Sequence, residues 1–251
     1  MSQTIALFNQ SGGVGKTTLT MNLGYQLAKR NNRVLLVDMD PQASLTTFMG
    51  LDPEEIVKTV YEAVVGDEPL PVHYQIQDMD IAPSNINLSA AELELVAVLM
   101  REMRLKEALS AHVKEYDFIL IDCPPSLGIL SVISLVAATS VLVPIQTQFK
   151  SFQGTDLLLN TVARLRSKVN RSLAIAGFIP TMYDGRTAQE TRTLKAIQEQ
   201  LSPLAKVFTP VPRSIVFADA SEARVPLAIS NPKHPAVAVM ETIVKHLEKL
   251  E

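Results

Sequence analysis

A glycine-rich segment near the start of the chain has the residue types that bind phosphate groups. Residues 9–18 read Asn-Gln-Ser-Gly-Gly-Val-Gly-Lys-Thr-Thr and lie between an apolar run and a helical pattern. Glycines let the backbone turn its N–H groups toward an anion, and the helix that follows adds its positive N-terminal end. Lys16 would then reach the β- and γ-phosphates of a nucleotide, and the Thr17 hydroxyl would ligate Mg²⁺.

The segment departs from the general P-loop pattern at one position. That pattern requires a glycine five residues before Gly15, and this chain has Gln10 there. It matches instead a deviant version with two adjacent glycines, Gly12 and Gly13. The alternative is a flexible glycine-rich turn, but the required strand precedes the segment and the required helix follows it. The residues predicted to contact the nucleotide in this segment are Ser11, Gly12, Gly13, Val14, Gly15, Lys16, Thr17 and Thr18.

Three carboxylates follow apolar runs that predict strands. Asp38 and Asp40 end the second run, and Asp122 ends a later one. A carboxylate at the end of a buried strand is costly unless something neutralises it, and Mg²⁺ with its waters would do so. The alternative for each is an ordinary strand-end acid that caps the next helix. Because ligands bind at the carboxyl ends of parallel strands, we expect all three beside the phosphate segment.

The remaining sequence alternates short apolar runs with helical patterns. Most runs are continuous, which suits strands that are buried on both faces of a parallel sheet. We therefore predict a single α/β domain over residues 1–251, with a mostly parallel twisted sheet flanked by helices. Strands are predicted at Thr4–Phe8, Arg33–Val37, Met79–Ala82, Phe118–Ile121, Val141–Ile145, Leu173–Pro180 and Lys206–Phe208. Helices are predicted at Lys16–Lys29, Ala90–Val113, Phe152–Arg166, Ala188–Gln200 and Pro235–Leu250.

Composition excludes several classes of protein. Lys and Arg number 23 against 26 Asp and Glu, so the chain is not globally basic, although a local basic patch is compatible with this balance. The single cysteine, Cys123, excludes an intrachain disulfide and any zinc or iron–sulfur site that takes several cysteines from one chain. We expect Cys123 to pack beside its strand. Without disulfides or a signal peptide, the cytoplasm is the expected compartment.

One uncharged stretch, from Cys123 to Phe149, is long enough to span a bilayer. Prolines and a glycine interrupt it, and they divide it into a loop, a helix at Leu127–Ala138 and the strand at Val141–Ile145. We expect this stretch to form buried core of an α/β domain. The interrupting residues are Pro124, Pro125, Gly128 and Pro144.

Five segments together resemble the ParA/MinD group of deviant-Walker ATPases. They read NQSGGVGKTT, VLLVDMDPQ, YDFILIDCPPSLG, VLVPIQ and GFIPTMYDGR, and the resemblance covers essentially the whole chain. The DPQ and MYDGR sequences resemble the ParA branch more than the MinD branch. The resemblance implies a P-loop NTPase fold, bound ATP and Mg²⁺, weak ATP hydrolysis that a partner stimulates, and a homodimer that closes around two nucleotides.

The same resemblance implies roles for individual residues. Asp122 matches the Walker B acid near Mg²⁺, and Asp38 would hold the water shell of that ion. Asp40 would position or activate the attacking water. Pro212 and Arg213 match the family segment that runs beside the adenine.

The chain departs from the family at Ser11. Family members have a signature lysine at this position, which reaches across the dimer to the phosphates of the partner subunit. Serine has no charge, and a cation near the phosphates stabilises the charge that develops in phosphoryl transfer. Lys150 follows the strand at Val141–Ile145 and is our candidate for the missing cation; the alternative is a solvated surface lysine. A serine here also resembles the branch of ParA-like ATPases that positions carboxysomes.

The ParA resemblance implies non-specific DNA binding by the ATP-bound dimer and hence association with the nucleoid. One segment, Thr161–Arg171, has four basic residues and no acid, so it is the candidate DNA-binding patch; a solvated helix end is the alternative. Such a patch would bind DNA phosphates with strong salt dependence. Its basic residues are Arg164, Arg166, Lys168 and Arg171.

Two other functions stay open. A MinD-like ATPase would bind a membrane through an amphipathic C-terminal helix, but Val237–Glu251 has no aromatic residue and only two lysines against three glutamates. An ATP-dependent metabolic ligase on the same fold would need substrate-binding groups, and none stands out. We expect instead an ATPase that positions or partitions a plasmid, chromosome or protein organelle with a cargo adaptor protein. ATP-stimulated DNA binding would distinguish it from a ligase.

Overall fold

Seven strands form one sheet within the residues that the computed structural model describes, 2–148 and 154–250. The order across the sheet is the third strand, then the fourth, second, fifth, first, sixth and seventh, and only the third strand is antiparallel to its neighbour. This confirms the predicted α/β fold with a mostly parallel sheet. The strands are β1 (Gln3–Leu7), β2 (Val34–Asp38), β3 (His73–Ile76), β4 (Met79–Ala82), β5 (Phe118–Asp122), β6 (Ser140–Gln146) and β7 (Ala174–Thr181).

Helices cover both faces of this sheet, and each face has its own hydrophobic core. Successive strand residues such as Leu35 and Leu36 belong to opposite cores, because side chains alternate along a strand. The helices are α1 (Lys16–Ala28), α2 (Ser44–Phe48), α3 (Val60–Val64), α4 (Ala91–Glu94), α5 (Arg104–Leu109), α6 (Ile129–Ala137), α7 (Thr155–Lys168), α8 (Ala188–Leu201), α9 (Val216–Glu222), α10 (Leu227–Ser230) and α11 (Pro235–Leu247). One core contains residues of α3 and α5 to α8, and the other contains residues of α1, α2 and α9 to α11.

The strand register brings the candidate site together. β5 pairs with β1 on one side and with β2 on the other, and Asp122 is the register partner of both Leu7 and Asp38. The ends of these three parallel strands therefore lie at the same level of the sheet. Because β1 ends just before the glycine-rich segment, that segment starts beside the two carboxylates.

The predicted strands are confirmed for β1, β2, β4, β5, β6 and β7, but the strand predicted at Lys206–Phe208 is wrong. Only an isolated bridge joins Val207 to Phe178 there. Pro210 and Pro212 follow closely, and proline has no N–H to donate to a ladder. The antiparallel edge strand β3 was not predicted.

The long helix predicted at Ala90–Val113 is also wrong. Short helical turns take its place, including α4 and α5. Val98 is extended and Met100 has a φ of +53°, so the backbone cannot continue as one helix. The Arg101 guanidinium donates to the carbonyl oxygens of Leu95 and Val96, just after α4. A helix end leaves such acceptors without partners, and Arg101 satisfies them here.

Other predicted helices are confirmed within one to three residues at their ends. The helix predicted at Phe152–Arg166 corresponds to α7, and its first two residues lie outside the described residues. The uncharged stretch after Cys123 forms a turn, α6 and β6, as predicted. Among the residues that the structure describes, no helix is both long enough and apolar enough to cross a membrane.

Candidate functional site

The phosphate loop, residues 9–18, runs from the end of β1 into the first turn of α1. Gly13 and Gly15 have φ angles of +71° and +90°, which residues with a side chain rarely adopt. Asn9 ties the loop to β6, since its Nδ2 donates to the Pro144 carbonyl at 2.6 Å and its Oδ1 accepts from the Ser11 N–H at 2.9 Å. The backbone therefore turns sharply, with the N-terminus of α1 at its end.

Alanine at Gly13 is expected to lower the free energy of unfolding by about 1–2 kcal/mol, the cost of a left-handed residue with a Cβ. Urea unfolding measures this loss, and Gly12→Ala is the matched control. Gly12 does not have a positive φ, and an added Cβ would meet Pro125 Cβ at an ordinary 3.7 Å. An equal loss in both variants would contradict the argument, because strain at Gly13 could not then be the cause.

Lys16 lies inside the curve of the phosphate loop and is only 7% exposed. Its Nζ donates to the carbonyl oxygens of Asn9 at 2.9 Å and Ser11 at 3.0 Å. Burial lowers the pKa of Lys16, while the nearby carboxylate of Asp122 acts in the opposite direction. The ammonium is thus held in the loop, where it could pair with an anion.

Asp122 ends β5 and is completely buried. Its Oδ1 accepts a long hydrogen bond of 3.5 Å from the Thr20 hydroxyl, and its Oδ2 has no hydrogen-bond partner among the described residues. Burial raises the pKa of Asp122 well above its usual range; Asp38 raises it further, whereas Thr17 and Lys16 act to lower it. A buried carboxylate with an unused oxygen fits a site for a cation or its water shell.

Asp38 ends β2 and is also completely buried. Its Oδ2 accepts from both the N–H and the hydroxyl of Thr46, at 2.9 and 2.7 Å, and its Oδ1 accepts from the Asp40 N–H at 3.1 Å. Burial raises the pKa of Asp38 to about 6. Thr46, which the sequence did not single out, also accepts from the Ser84 N–H at 2.9 Å, so it joins Asp38 to the end of β4.

Asp40 lies two residues beyond β2 and is less buried than Asp38 or Asp122. Its Oδ1 accepts from the Gln42 N–H at 3.0 Å. The described residues contain no group of three or more His, Cys, Asp or Glu side chains that could hold a metal ion together. A Mg²⁺ site does not require such a group, because in proteins Mg²⁺ usually keeps several waters and takes only one or two carboxylates plus substrate phosphates.

A cavity of about 140 Å³ lies beside the phosphate loop. Gly15 and Thr18 of the phosphate loop line it on one side, and Pro212, Arg213 and Phe217 line it from the chain that follows β7. The structure thus brings the two residues predicted to lie beside adenine to the phosphate loop. The cavity wall is mostly apolar, which suits the faces of a planar base.

Ser11 forms part of the loop wall and is partly exposed. Its backbone is engaged by Asn9 and Lys16, as described above. Gln10, at the position where the general pattern has glycine, donates from Nε2 to the Gly154 carbonyl at 2.9 Å and joins the loop to the start of α7. Lys150, the candidate for the missing cation, lies outside the described residues, so its assignment stays a prediction.

The four basic residues predicted to bind DNA are exposed but form two groups. Arg164 and Lys168 line a groove of about 440 Å³ on one side of α7. Arg166 and Arg171 line a different groove of about 740 Å³. Helical periodicity separates Arg166 from Arg164 and Lys168, because residues four apart share a face and residues two apart do not, whereas Arg171 lies beyond the end of α7. None of the four forms an ion pair among the described residues.

Known proteins with similar sequences identify the family of this chain. A family model described as an AAA domain matches residues 2–175. The sporulation initiation inhibitor protein Soj of Bacillus subtilis is 37% identical over 98% of this chain and 98% of its own length. The chromosome partitioning protein ParA of Myxococcus xanthus is 40% identical over 74% of this chain and 67% of its own. The chain belongs to the ParA/MinD family.

Solved structures share the fold over nearly the whole chain. Cobyrinic acid a,c-diamide synthase from Mycobacterium smegmatis, with bound ADP and magnesium, has a TM-score of 0.87 and 32% identity over 99% of this chain and 95% of that protein. An Asp-to-Ala variant of McdA from Cyanothece, in complex with ATP, has a TM-score of 0.89 and 25% identity over 100% of this chain and 98% of that protein. Both similarities support nucleotide chemistry at the phosphate loop of a ParA/MinD fold.

Proposed function

We propose that this chain is an ATPase whose ATP-bound dimer binds DNA without sequence preference and positions a cargo with a partner protein. The observation that carries the proposal is the phosphate loop, where the buried Lys16 ammonium lies close to the buried carboxylate of Asp122, which is itself the register partner of Asp38. The chromosome partitioning relative from Myxococcus supports a positioning role. We expect the protein in the cytoplasm, bound to the nucleoid in its ATP state.

The residues at this edge of the sheet fit ATP with Mg²⁺. The Thr17 hydroxyl would ligate the ion, and the unused Oδ2 of Asp122 would accept hydrogen bonds from its water shell. Asp38 would support the same shell. The bound ion would supply positive charge against the β- and γ-phosphates. The bound ADP and magnesium of the mycobacterial synthase support this assignment.

Lys16 would stabilise the charge that develops on the γ-phosphate during hydrolysis. Asp40, the most exposed of the three carboxylates, would orient the attacking water. Pro212 and Arg213 would flank the adenine in the cavity beside Gly15. Each residue therefore acts on a different part of the nucleotide, which is consistent with catalysis by positioning and electrostatic stabilisation.

Dimerisation would make DNA binding depend on ATP. One subunit carries two pairs of exposed basic residues, on either side of α7. Two subunits would present twice as many basic side chains to the DNA phosphates, so closure around ATP could raise DNA affinity through avidity. Hydrolysis, stimulated by a cargo adaptor, would reverse the switch. In this proposal Lys150 would supply the charge that the family's signature lysine provides.

The experiment that tests this function is binding to random-sequence duplex DNA with ATP, ADP or no nucleotide, across a salt series. We expect binding only with ATP, with log K falling steeply as log salt rises. Absence of DNA binding in all three nucleotide states would overturn the DNA-bound ATPase. Vesicles with anionic lipids, tested in parallel, would then reveal a MinD-like membrane ATPase.

Replacing basic residues of α7 with glutamine should weaken DNA binding. The loss should grow with the number of DNA phosphates that lose a basic partner. We expect the double variant Arg164→Gln/Lys168→Gln to remove four cations from the dimer, and so to reduce the salt slope by about four and affinity at least about 10-fold, equally for all DNA sequences. Lys245→Gln/Lys249→Gln is the matched control, since these exposed lysines lie at the end of α11, on the opposite face of the sheet. Equal losses of affinity in both double variants would contradict binding through α7.

One observation favours a second function. The mycobacterial structure that is 32% identical is that of a cobyrinic acid a,c-diamide synthase, which supports an ATP-dependent ligase on this fold. A ligase would hydrolyse ATP only together with a small-molecule acid and would bind DNA in no nucleotide state. Assaying ATP hydrolysis with random duplex DNA and with carboxylic acids in parallel separates the two functions.

A further inference from the structure

Glu190 has a buried carboxylate next to the candidate adenine cavity. It is the third residue of α8 and is only 7% exposed. Burying a carboxylate is costly unless it is paired and hydrogen-bonded. The groups that donate hydrogen bonds to the Glu190 carboxylate offset this cost, and their positions indicate the role of its charge.

The Glu190 carboxylate joins three segments around the nucleotide site. Its Oε2 accepts from the Thr147 hydroxyl at 3.1 Å, just beyond β6, and from the Asp184 N–H at 2.6 Å, in the turn after β7. Its Oε1 accepts from Nη2 of Arg213 at 3.0 Å, in the wall of the cavity. Glu190 thus accepts hydrogen bonds from residues that follow two strands and from one residue in the wall of the candidate adenine cavity.

Helix capping does not explain the contacts of this carboxylate. Thr187 and Glu190 have the spacing of a capping box, in which the glutamate would accept from the N–H of the capping residue. Here the Thr187 N–H donates to the Asp184 carbonyl instead, and the Thr187 hydroxyl accepts from the Glu190 N–H. The carboxylate is therefore free to bind residues outside its own helix, and the N-terminus of α8 favours its negative charge.

Arg213 depends on this acceptor for its orientation. Its side chain is 51% exposed, and the only other hydrogen bond of that side chain among the described residues is a long one of 3.5 Å from Nε to the Met182 carbonyl. A half-exposed arginine has many rotamers, and a charge-assisted bond to a buried carboxylate selects one of them. The cavity wall is preorganised through this pair.

We propose that Glu190 is a positioning residue that holds Arg213 and the cavity wall in place for the adenine base. It then contributes to affinity for the base and contributes nothing to affinity for the phosphates. This inference rests on the proposed function, because it requires that the cavity beside Gly15 takes adenine. It adds a residue that touches neither the phosphate loop nor the predicted metal site.

Calorimetric binding of ADP, ATP and inorganic tripolyphosphate to the Glu190→Gln variant tests the proposal. Glutamine keeps the shape but offers one acceptor oxygen, so either Arg213 or the pair Thr147 and Asp184 loses its partner. We expect ADP and ATP affinity to fall about 10-fold and tripolyphosphate affinity to stay unchanged. Glu199→Gln is the control, because Glu199 lies exposed on the same helix and, within the part of the chain that the structure describes, forms an ion pair only with Lys195.

The outcomes separate this inference from the proposed function. If the wild-type protein binds no adenine nucleotide, the proposed function fails first. If wild type binds ADP and Glu190→Gln binds it equally well, or loses ADP and tripolyphosphate alike, Glu190 has no specific role at the base. Should Glu190→Gln not fold, Arg213→Gln carries the test, since that side chain is half exposed. Unchanged ADP affinity in Arg213→Gln would then overturn the proposal.

Discussion

Lys16→Gln is expected to reduce ATP hydrolysis by on the order of 10²–10³-fold, the cost of removing one preorganised donor from a charge that develops in the transition state. The ammonium is held inside the phosphate loop by two carbonyl oxygens, so no reorganisation is needed before it can pair with a phosphate. Glutamine has no charge, and its shorter side chain cannot reach as far. Nucleotide affinity should fall as well.

A steady-state assay of phosphate release measures this effect. Lys29→Gln is the matched control, because Lys29 is exposed just beyond the other end of α1. Hydrolysis by Lys16→Gln within about threefold of the wild-type rate would contradict the site, whereas a large loss with an unchanged melting temperature would support it. An equal loss in Lys29→Gln would indicate a general effect of lysine removal.

Asp122→Asn is expected to separate stability from activity. Asparagine removes a buried charge whose Oδ2 has no hydrogen-bond partner among the described residues, so the nucleotide-free protein should become more stable at pH 7. An increase of ~1 kcal/mol would raise Tm by about 2–4 °C in a chain of this size. Hydrolysis in the presence of Mg²⁺ should fall on the order of 10²-fold, because the carboxylate that we propose to face the water shell of the ion is lost.

The pH dependence of Tm tests whether the buried Asp122 carboxylate destabilises the folded state. Because burial raises the pKa of Asp122 in the folded state, the unfolded chain releases this proton at lower pH. Wild-type stability should therefore fall as pH rises above the ordinary aspartate value of 3.8 toward the folded pKa, and Asp122→Asn should lack that part of the fall.

Asp117→Asn is the control, with the opposite sign. Arg33 lowers the pKa of Asp117, so that carboxylate stabilises the folded state above its ordinary pKa and loses this effect as pH falls. Its replacement should slightly lower stability at pH 7. Identical pH profiles of Tm for Asp122→Asn and the wild-type protein would contradict the account of the buried carboxylate.

The parallel strands could be predicted because their residues are apolar without interruption. Runs such as Phe118–Ile121 have few alternatives to a strand that is buried on both faces. Once the strands were known, the acids at their ends had to lie beside the phosphate loop. The nucleotide motif and the carboxylates therefore followed from local sequence.

The segment from Ala90 to Val113 could not be predicted in the same way. Its apolar residues have helical spacing, but several of them, such as Leu93 and Leu99, are largely exposed in the structure. The backbone turns at Met100 and the contacts of Arg101 depend on tertiary structure and leave no periodic signal. The edge strand β3 is similar, because it has only four residues and none of them is fully buried.

Glu190 and Thr46 show why part of the site was missed. Glu190 follows Thr187 at the spacing of a helix cap, and Thr46 lies in a short polar helix, so each has an ordinary local interpretation. Their partners, Arg213 and Asp38, are 23 and 8 residues away. Contacts of this kind are formed by the fold and leave no motif in the sequence.

The measurement that tests the central claim most directly is molecular mass in solution by sedimentation equilibrium, with Mg²⁺ and a non-hydrolysable ATP analogue, with ADP, and without nucleotide. We expect twice the chain mass of 27.5 kDa with the ATP analogue and the single-chain mass in the other two states. Lys16→Gln should stay a single chain in all three. The same mass for the wild-type protein in every nucleotide state would contradict an ATP-driven dimerisation switch.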